Sequence, residues 1–108
     1  MSVVFHSVQK IEVIVEGAKQ DFVQELFQEA GAPGFTLIRD IAGMGEGGYH
    51  EGRLLFNDVS SLVMFVAVAG PDVIEKISAG LVPLFEKNSG VMFIYDAKVA
   101  RLEKFLKE

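Results

Sequence analysis

The residues that first invite a chemical reading are Gly43-Met44-Gly45-Glu46-Gly47-Gly48, which contain the pattern G-x-G-x-x-G. Bare glycine backbone lets amides approach a phosphate closely, so such a run suits an anion. In a dinucleotide-binding fold the pattern opens a helix, and an acidic residue follows about 20 positions later. Here the next periodic element reads as a strand, and the corresponding region is the apolar Val63–Ala69. No Gly-Lys-Ser/Thr follows, so the run is not a Walker-type phosphate loop either. Two readings stay open: a flexible hairpin connection, or a loop whose amides meet a phosphate.

Cations for such an anion are concentrated at one place. Residues 98–108 carry Lys98, Arg101, Lys104 and Lys107 against Glu103 and Glu108, a net +2 in a chain of net −5. A small basic segment on an acidic body fits one small anion better than a nucleic acid, whose phosphates need a stripe of cations. The plainer alternative is a solvated terminus. His6 and His50 are far apart, and Glu51 beside His50 would diverge from it in an extended chain. Ser7 adjoins His6 without a third group to orient the pair. Neither a metal centre nor a hydrolytic one is expected. Cysteine is absent, which excludes disulfides and thiol chemistry and makes the cytoplasm the expected compartment.

The elements that must position these residues follow from periodicity. Ile11, Val13 and Val15 alternate with Glu12, Ile14 and Glu16, as in a strand with one wet face. Phe22, Val23, Leu26, Phe27 and Ala30 recur at helical spacing over 18–30, with Gly31 as a natural stop. Pro33-Gly34 turns the chain into a second strand over Phe35–Ala42. The stretch from Gly43 to about Asp58 is long for a hairpin connection, and loops beyond about 12–15 residues usually have a function. It carries Tyr49, His50, Glu51, Arg53 and Leu54-Leu55-Phe56. Leu62–Ala69 is apolar on both faces, like a central strand. Gly70-Pro71-Asp72 starts a helix whose stripe is Val73, Ile74, Ile77, Leu81, Leu84 and Phe85. Gly80 and Pro83 inside it predict a kink or two short helices. Asn88-Ser89-Gly90 closes the element, Val91–Tyr95 reads as a last strand, and Leu102, Phe105 and Leu106 suggest a short amphipathic tail.

The order β-α-β-β-α-β is that of an α+β, ferredoxin-like split βαβ fold: one sheet with both helices on one face. Its 108 residues make a single domain over 1–108, with 43–58 as a long effector loop and 98–108 as a basic C-terminal segment. Half the residues are hydrophobic, nine are Phe and none is Trp, which excludes a disordered chain. Met1–Lys10 lacks the pattern of a signal peptide, and the longest apolar run is too short to span a bilayer. The second sheet face needs a cover, and strand register decides which of Ile14, Phe65 and Phe93 contribute to it. A subunit partner is the expected cover.

The run Lys10-Ile-Glu-Val-Ile-Val, the turn Gly31-Ala-Pro-Gly-Phe-Thr and the strand-end Gly43-Met-Gly resemble the P-II signal-transduction family. In the second half, Gly70-Pro-Asp, Asn88-Ser-Gly-Val-Met-Phe-Ile and Ala100-Arg-Leu-Glu-Lys-Phe agree. The resemblance covers about residues 10–106 and rests on the order and spacing of short motifs. It implies a homotrimer with adenine-nucleotide sites in the clefts between subunits. By position it makes Gly43, Met44, Gly45, Ser89, Gly90 and Val91 nucleotide-contacting, sets Ile14 beside the adenine, and brings Lys104 and Arg101 to the phosphate.

Nitrogen-regulatory members have a longer Thr-Gly-Lys-x-Gly-Asp-Gly-Lys turn, here reduced to Lys87-Asn-Ser-Gly. The long loop is shorter and lacks their modifiable tyrosine in a Tyr-Arg-Gly setting; Tyr49 stands elsewhere. These departures point away from ATP–magnesium with 2-oxoglutarate and towards divergent PII-like proteins linked to inorganic-carbon uptake and carboxysomes. There the implied ligands are ADP, AMP or cyclic AMP, with bicarbonate as a co-ligand. Gly45, Glu46, Gly47 and Gly48, through their amides, and Arg53 are the bicarbonate candidates. The resemblance thus implies a non-enzymatic sensor without a metal, acting on a bicarbonate transporter or a carboxysome component, with no nucleic acid and no membrane insertion. The alternatives are a nitrogen-regulatory ATP/ADP sensor, an enzyme using the same cleft with Glu46 near the phosphates, and a purely structural trimer.

Overall fold

The computed structural model describes residues 4–45, 48–50 and 61–100. Strand β1 spans His6–Glu16 and is followed by a 3-10 turn over Gly17–Lys19 and helix α1, Gln20–Ala30. Strand β2 is Thr36–Ile41; two short strands, β3 at Gly43–Gly45 and β4 at Gly48–His50, come next. Strand β5 is Leu62–Ala69, helix α2 is Pro71–Lys87 and strand β6 is Gly90–Val99. The four long strands form a sheet in the order β2-β5-β1-β6, every pair antiparallel. This is the expected split βαβ order, with β5 and β1 in the centre.

The inner face of the sheet is where the core lies. Ile11, Val13 and Val15 of β1 and Val63, Phe65, Ala67 and Ala69 of β5 are buried against Val23, Phe27 and Ala30 of α1 and Ile74, Ile77, Leu81 and Leu84 of α2. Phe27, Phe35 and Phe65 form a ring cluster with centroids 5.4–5.9 Å apart. Burying each such side chain stabilises the fold by about 1.5–3 kcal/mol.

Several expectations are corrected here. Phe65 is fully buried on the inner face, because its register partners Val13 and Leu37 put it there, so it contributes nothing to the outer face. Phe22 does not join the helical stripe but is exposed on α1. Helix α2 is not divided at Pro83. The proline and Ala79, whose carbonyl loses its helical partner, both face solvent, so water can satisfy that group. Gly80 is a packing residue rather than a breaker: a Cβ there would collide with the Leu26 side chain of α1. The start of the long loop is a paired ribbon, with Gly43 opposite His50, Met44 opposite Tyr49 and Gly45 opposite Gly48. Strand β6 runs to Val99, well past the expected Tyr95, because β1 reaches back to His6 and pairs with it throughout.

Candidate functional site

One end of the sheet collects most of the candidate residues. Leu62 at the start of β5 pairs with Glu16 of β1 and with Ile41 of β2, and Gly90 at the start of β6 pairs with Val15. Gly43, two residues beyond Ile41, has its backbone beside Leu62. The Gly43–Gly45 strand and the Ser89-Gly90-Val91 turn therefore share this end, on the two opposite edges of the sheet. Three strand spacings separate those edges, about 14 Å. Ile14 lies between them on the outer face, half-buried, with Met64 on one side and Val91 on the other. Val91 is exposed beside it.

Local chemistry explains how each segment arrives there. The backbone N–H of Gly17 donates to the Ser61 carbonyl at 2.7 Å, tying the end of β1 to the chain that enters β5. The backbone N–H and the Nδ2 of Asn88 both donate to the Leu84 carbonyl, at 3.0 and 3.1 Å, which closes α2 and releases Ser89 and Gly90 into β6. Glycine at 90 has a steric cause of its own. A Cβ there would stand 2.6 Å from Cε1 of Phe85 and 3.2 Å from the Ile14 carbonyl oxygen.

On the other edge, β2 contains a bulge: Ile38 pairs with Met64, but Ile41 pairs with Leu62, so one extra residue is accommodated. Asp40 absorbs it in the left-handed region, φ 58°, which aspartate tolerates better than most residues. The bulge keeps Ile41 on the outer face and aims the chain into the glycine strand.

The remaining candidates, Glu46, Gly47, Arg53, Arg101 and Lys104, lie outside the described residues, as do most of the 43–58 loop and the tail from 101; Gly48 pairs in the ribbon. Among the described residues no group of three His, Cys, Asp or Glu could hold a metal ion, and no helix is long and apolar enough to cross a membrane.

The sequence reading missed one cluster. On the outer face Glu12 Oε2 lies 3.1 Å from Lys10 Nζ, and the Tyr95 hydroxyl donates to Glu12 Oε1 at 3.0 Å. Lys10 Nζ stands 5.6 Å from the Tyr95 ring centroid. The hydrogen bond to Glu12 raises the Tyr95 phenol pKa above its ordinary value, with desolvation adding to it. Only cross-strand register brings Tyr95 opposite Lys10, and that register cannot be read from either segment alone.

A family model described as nitrogen regulatory protein P-II matches residues 8–104, from β1 into the C-terminal segment. The chain belongs to the P-II family. The solved structure of CPII, a nitrogen regulatory PII-like protein from Thiomonas intermedia K12 bound to ADP, AMP and bicarbonate, is 34% identical. The match covers 98% of this chain and 100% of that one, with a TM-score of 0.91. A PII-like signalling protein from Thermus thermophilus is 18% identical with a TM-score of 0.78, covering 94% and 97% of the two chains. Bacillus subtilis GlnK, solved with ATP, is 12% identical with a TM-score of 0.60, covering 84% and 82%. The last two show a shared fold alone. Among curated protein sequences none matches significantly. The P-II assignment agrees with the resemblance drawn from the motifs, and the CPII likeness agrees with its divergent branch.

Proposed function

We propose that this P-II protein is a non-enzymatic, cytoplasmic sensor of an adenine nucleotide, ADP or AMP, with bicarbonate as a co-ligand. It acts as a homotrimer that regulates inorganic-carbon uptake or fixation through a protein target such as a bicarbonate transporter or a carboxysome component. The observation that carries this reading is the likeness to CPII over the whole of both chains, because that relative was solved with ADP, AMP and bicarbonate bound. Two features of the sheet end support it. The glycine strand offers backbone amides, and Ile14 and Val91 offer an apolar floor on which an adenine ring can lie.

In this reading Gly43, Met44, Gly45, Ser89, Gly90 and Val91 border the nucleotide and Ile14 sits beside the adenine. Arg101 and Lys104, from a neighbouring subunit, meet the phosphate. Bicarbonate is held by the amides of Gly45, Glu46, Gly47 and Gly48 with Arg53. Ligand binding orders the 46–58 arm and so changes the surface offered to the target, which requires the ligand to bind one arm state more tightly than the other.

Isothermal titration of the chain with ADP and with AMP, each with and without bicarbonate, tests this. Binding of at least one nucleotide in the micromolar range is expected, and Lys104→Ala should weaken it by about 10- to 150-fold, the value of a charge-assisted hydrogen bond of about 1.5–3 kcal/mol. Absence of binding by both nucleotides at millimolar concentration overturns the proposal. Steady release of inorganic phosphate or AMP from bound nucleotide would overturn its non-enzymatic part.

A further inference from the structure

We infer that Lys10, Glu12 and Tyr95 form a pre-neutralised cluster that lets the outer sheet face close on further copies of this chain without a counter-charge from them. The inference rests on the trimeric reading above and concerns how that assembly avoids burying a lone charge. The chain as a whole is acidic, net −5. Its outer sheet face is different. Away from Glu16 at the strand end, the charges that β1, β5 and β6 place on that face are Lys10 and Glu12, which cancel. They sit in the middle of the apolar surface formed by Ile14, Val66, Val68, Val91 and Phe93, of which Val91 and Phe93 are exposed.

Burying a lone charge in such a surface is costly unless it is paired and hydrogen-bonded. Here both carboxylate oxygens of Glu12 are occupied within one subunit, one by the Lys10 ammonium and one by the Tyr95 hydroxyl. The ammonium also lies over the Tyr95 ring. The cluster therefore asks for no counter-charge from whatever covers it. That condition suits a second copy of the same face. In a symmetric ring any unbalanced charge is repeated in every subunit and repels its own images, whereas a neutral cluster does not. A strongly charged partner would gain nothing here.

Sedimentation velocity over a dilution series tests this on the full chain, comparing the parent with Glu12→Gln, Lys10→Met and the double variant Lys10→Met/Glu12→Leu. Far-ultraviolet circular dichroism on the same samples establishes that each is folded. In both single variants one charge is left in the interface without its partner, so the concentration at which the assembly dissociates should rise by more than about tenfold. In the double variant, with no charge to bury, it should return to within about threefold of the parent. Single variants that assemble as the parent does overturn the inference while leaving the trimer intact. A double variant as weak as the singles also overturns it, since shape rather than charge would then be responsible. A parent chain that is monomeric at every concentration overturns the trimeric reading itself.

Discussion

The two faces of the sheet are made from the same strands, yet they are governed by different terms. On the inner face, Ile11, Val13, Val15 and Phe65 are sealed by two helices, and hydrophobic burial alone decides which side chains are tolerated. On the outer face, Lys10, Glu12 and Ile14 come from the alternate positions of β1, and Glu12 answers its charge by pairing within the subunit. Antiparallel strands alternate strictly, so a single residue's shift would exchange these environments. The contrast teaches that this small domain stores its stability on one side, which leaves the other free for the association proposed above.

The largest expected effect breaks the contrast from the inside. Phe65→Ala removes the ring that touches both Phe27 and Phe35, and urea unfolding should show a loss of about 3–5 kcal/mol. Against a total of about 5–15 kcal/mol for a domain, that is severe. A loss below about 1 kcal/mol would mean that the ring cluster is not the centre of the core.

A smaller effect is expected where the two faces meet, at the start of β6. Gly90→Ala forces Phe85 or the Ile14 carbonyl to shift, so a cost of about 1–3 kcal/mol should appear in thermal unfolding. Gly43→Ala is the matched comparison. Its added Cβ meets Leu62 Cδ1 at an ordinary 3.5 Å, and stability should change by less than about 0.5 kcal/mol. Equal effects at the two glycines would remove the steric reason given for Gly90.

The smallest and most local effect belongs to the outer face. Ultraviolet titration of the phenols should find Tyr95 ionising above the ordinary value of 10.0, and Glu12→Gln should lower that midpoint by weakening the hydrogen bond that the hydroxyl donates and removing the nearby charge. The sign follows from linkage. A group that is neutral when protonated and has a raised folded pKa contributes stability in full below its unfolded value, and loses it as pH rises through the folded one. The contribution is therefore constant at neutral pH and fails only in alkali. A Tyr95 midpoint unchanged by Glu12→Gln would dissolve the cluster on which the outer-face argument stands.

Much of this was legible in the linear chain. The alternation of β1, the helical stripe ending at Gly31 and the two-sided apolar run of β5 all give local signals, and local geometry obeyed them. Gly31 does adopt the left-handed conformation, φ 90°, that stops α1. Errors arose where a residue's meaning depended on a distant neighbour. Gly80 and Pro83 look like breakers until Leu26 and the solvent-facing side of α2 are in view. Phe65 looks like any phenylalanine of a two-faced strand until the pairing with Val13 turns it inward. Of the candidate site, Ile14, Gly43 and Ser89–Val91 were named from motif order, and their common placement at one sheet end follows from the strand register.

The sequence by itself determined the element order, the α+β class and the concentration of basic residues after position 97, because period, punctuation and charge are properties of neighbouring residues. It also carried the family, through the order of short glycine-centred motifs. Only the tertiary structure decided which face each side chain serves, that Glu12 is answered by Tyr95 from 83 residues away, and that α2 stays whole across Pro83. Those outcomes depend on register and on close approach between elements, and both are set by packing the whole chain at once.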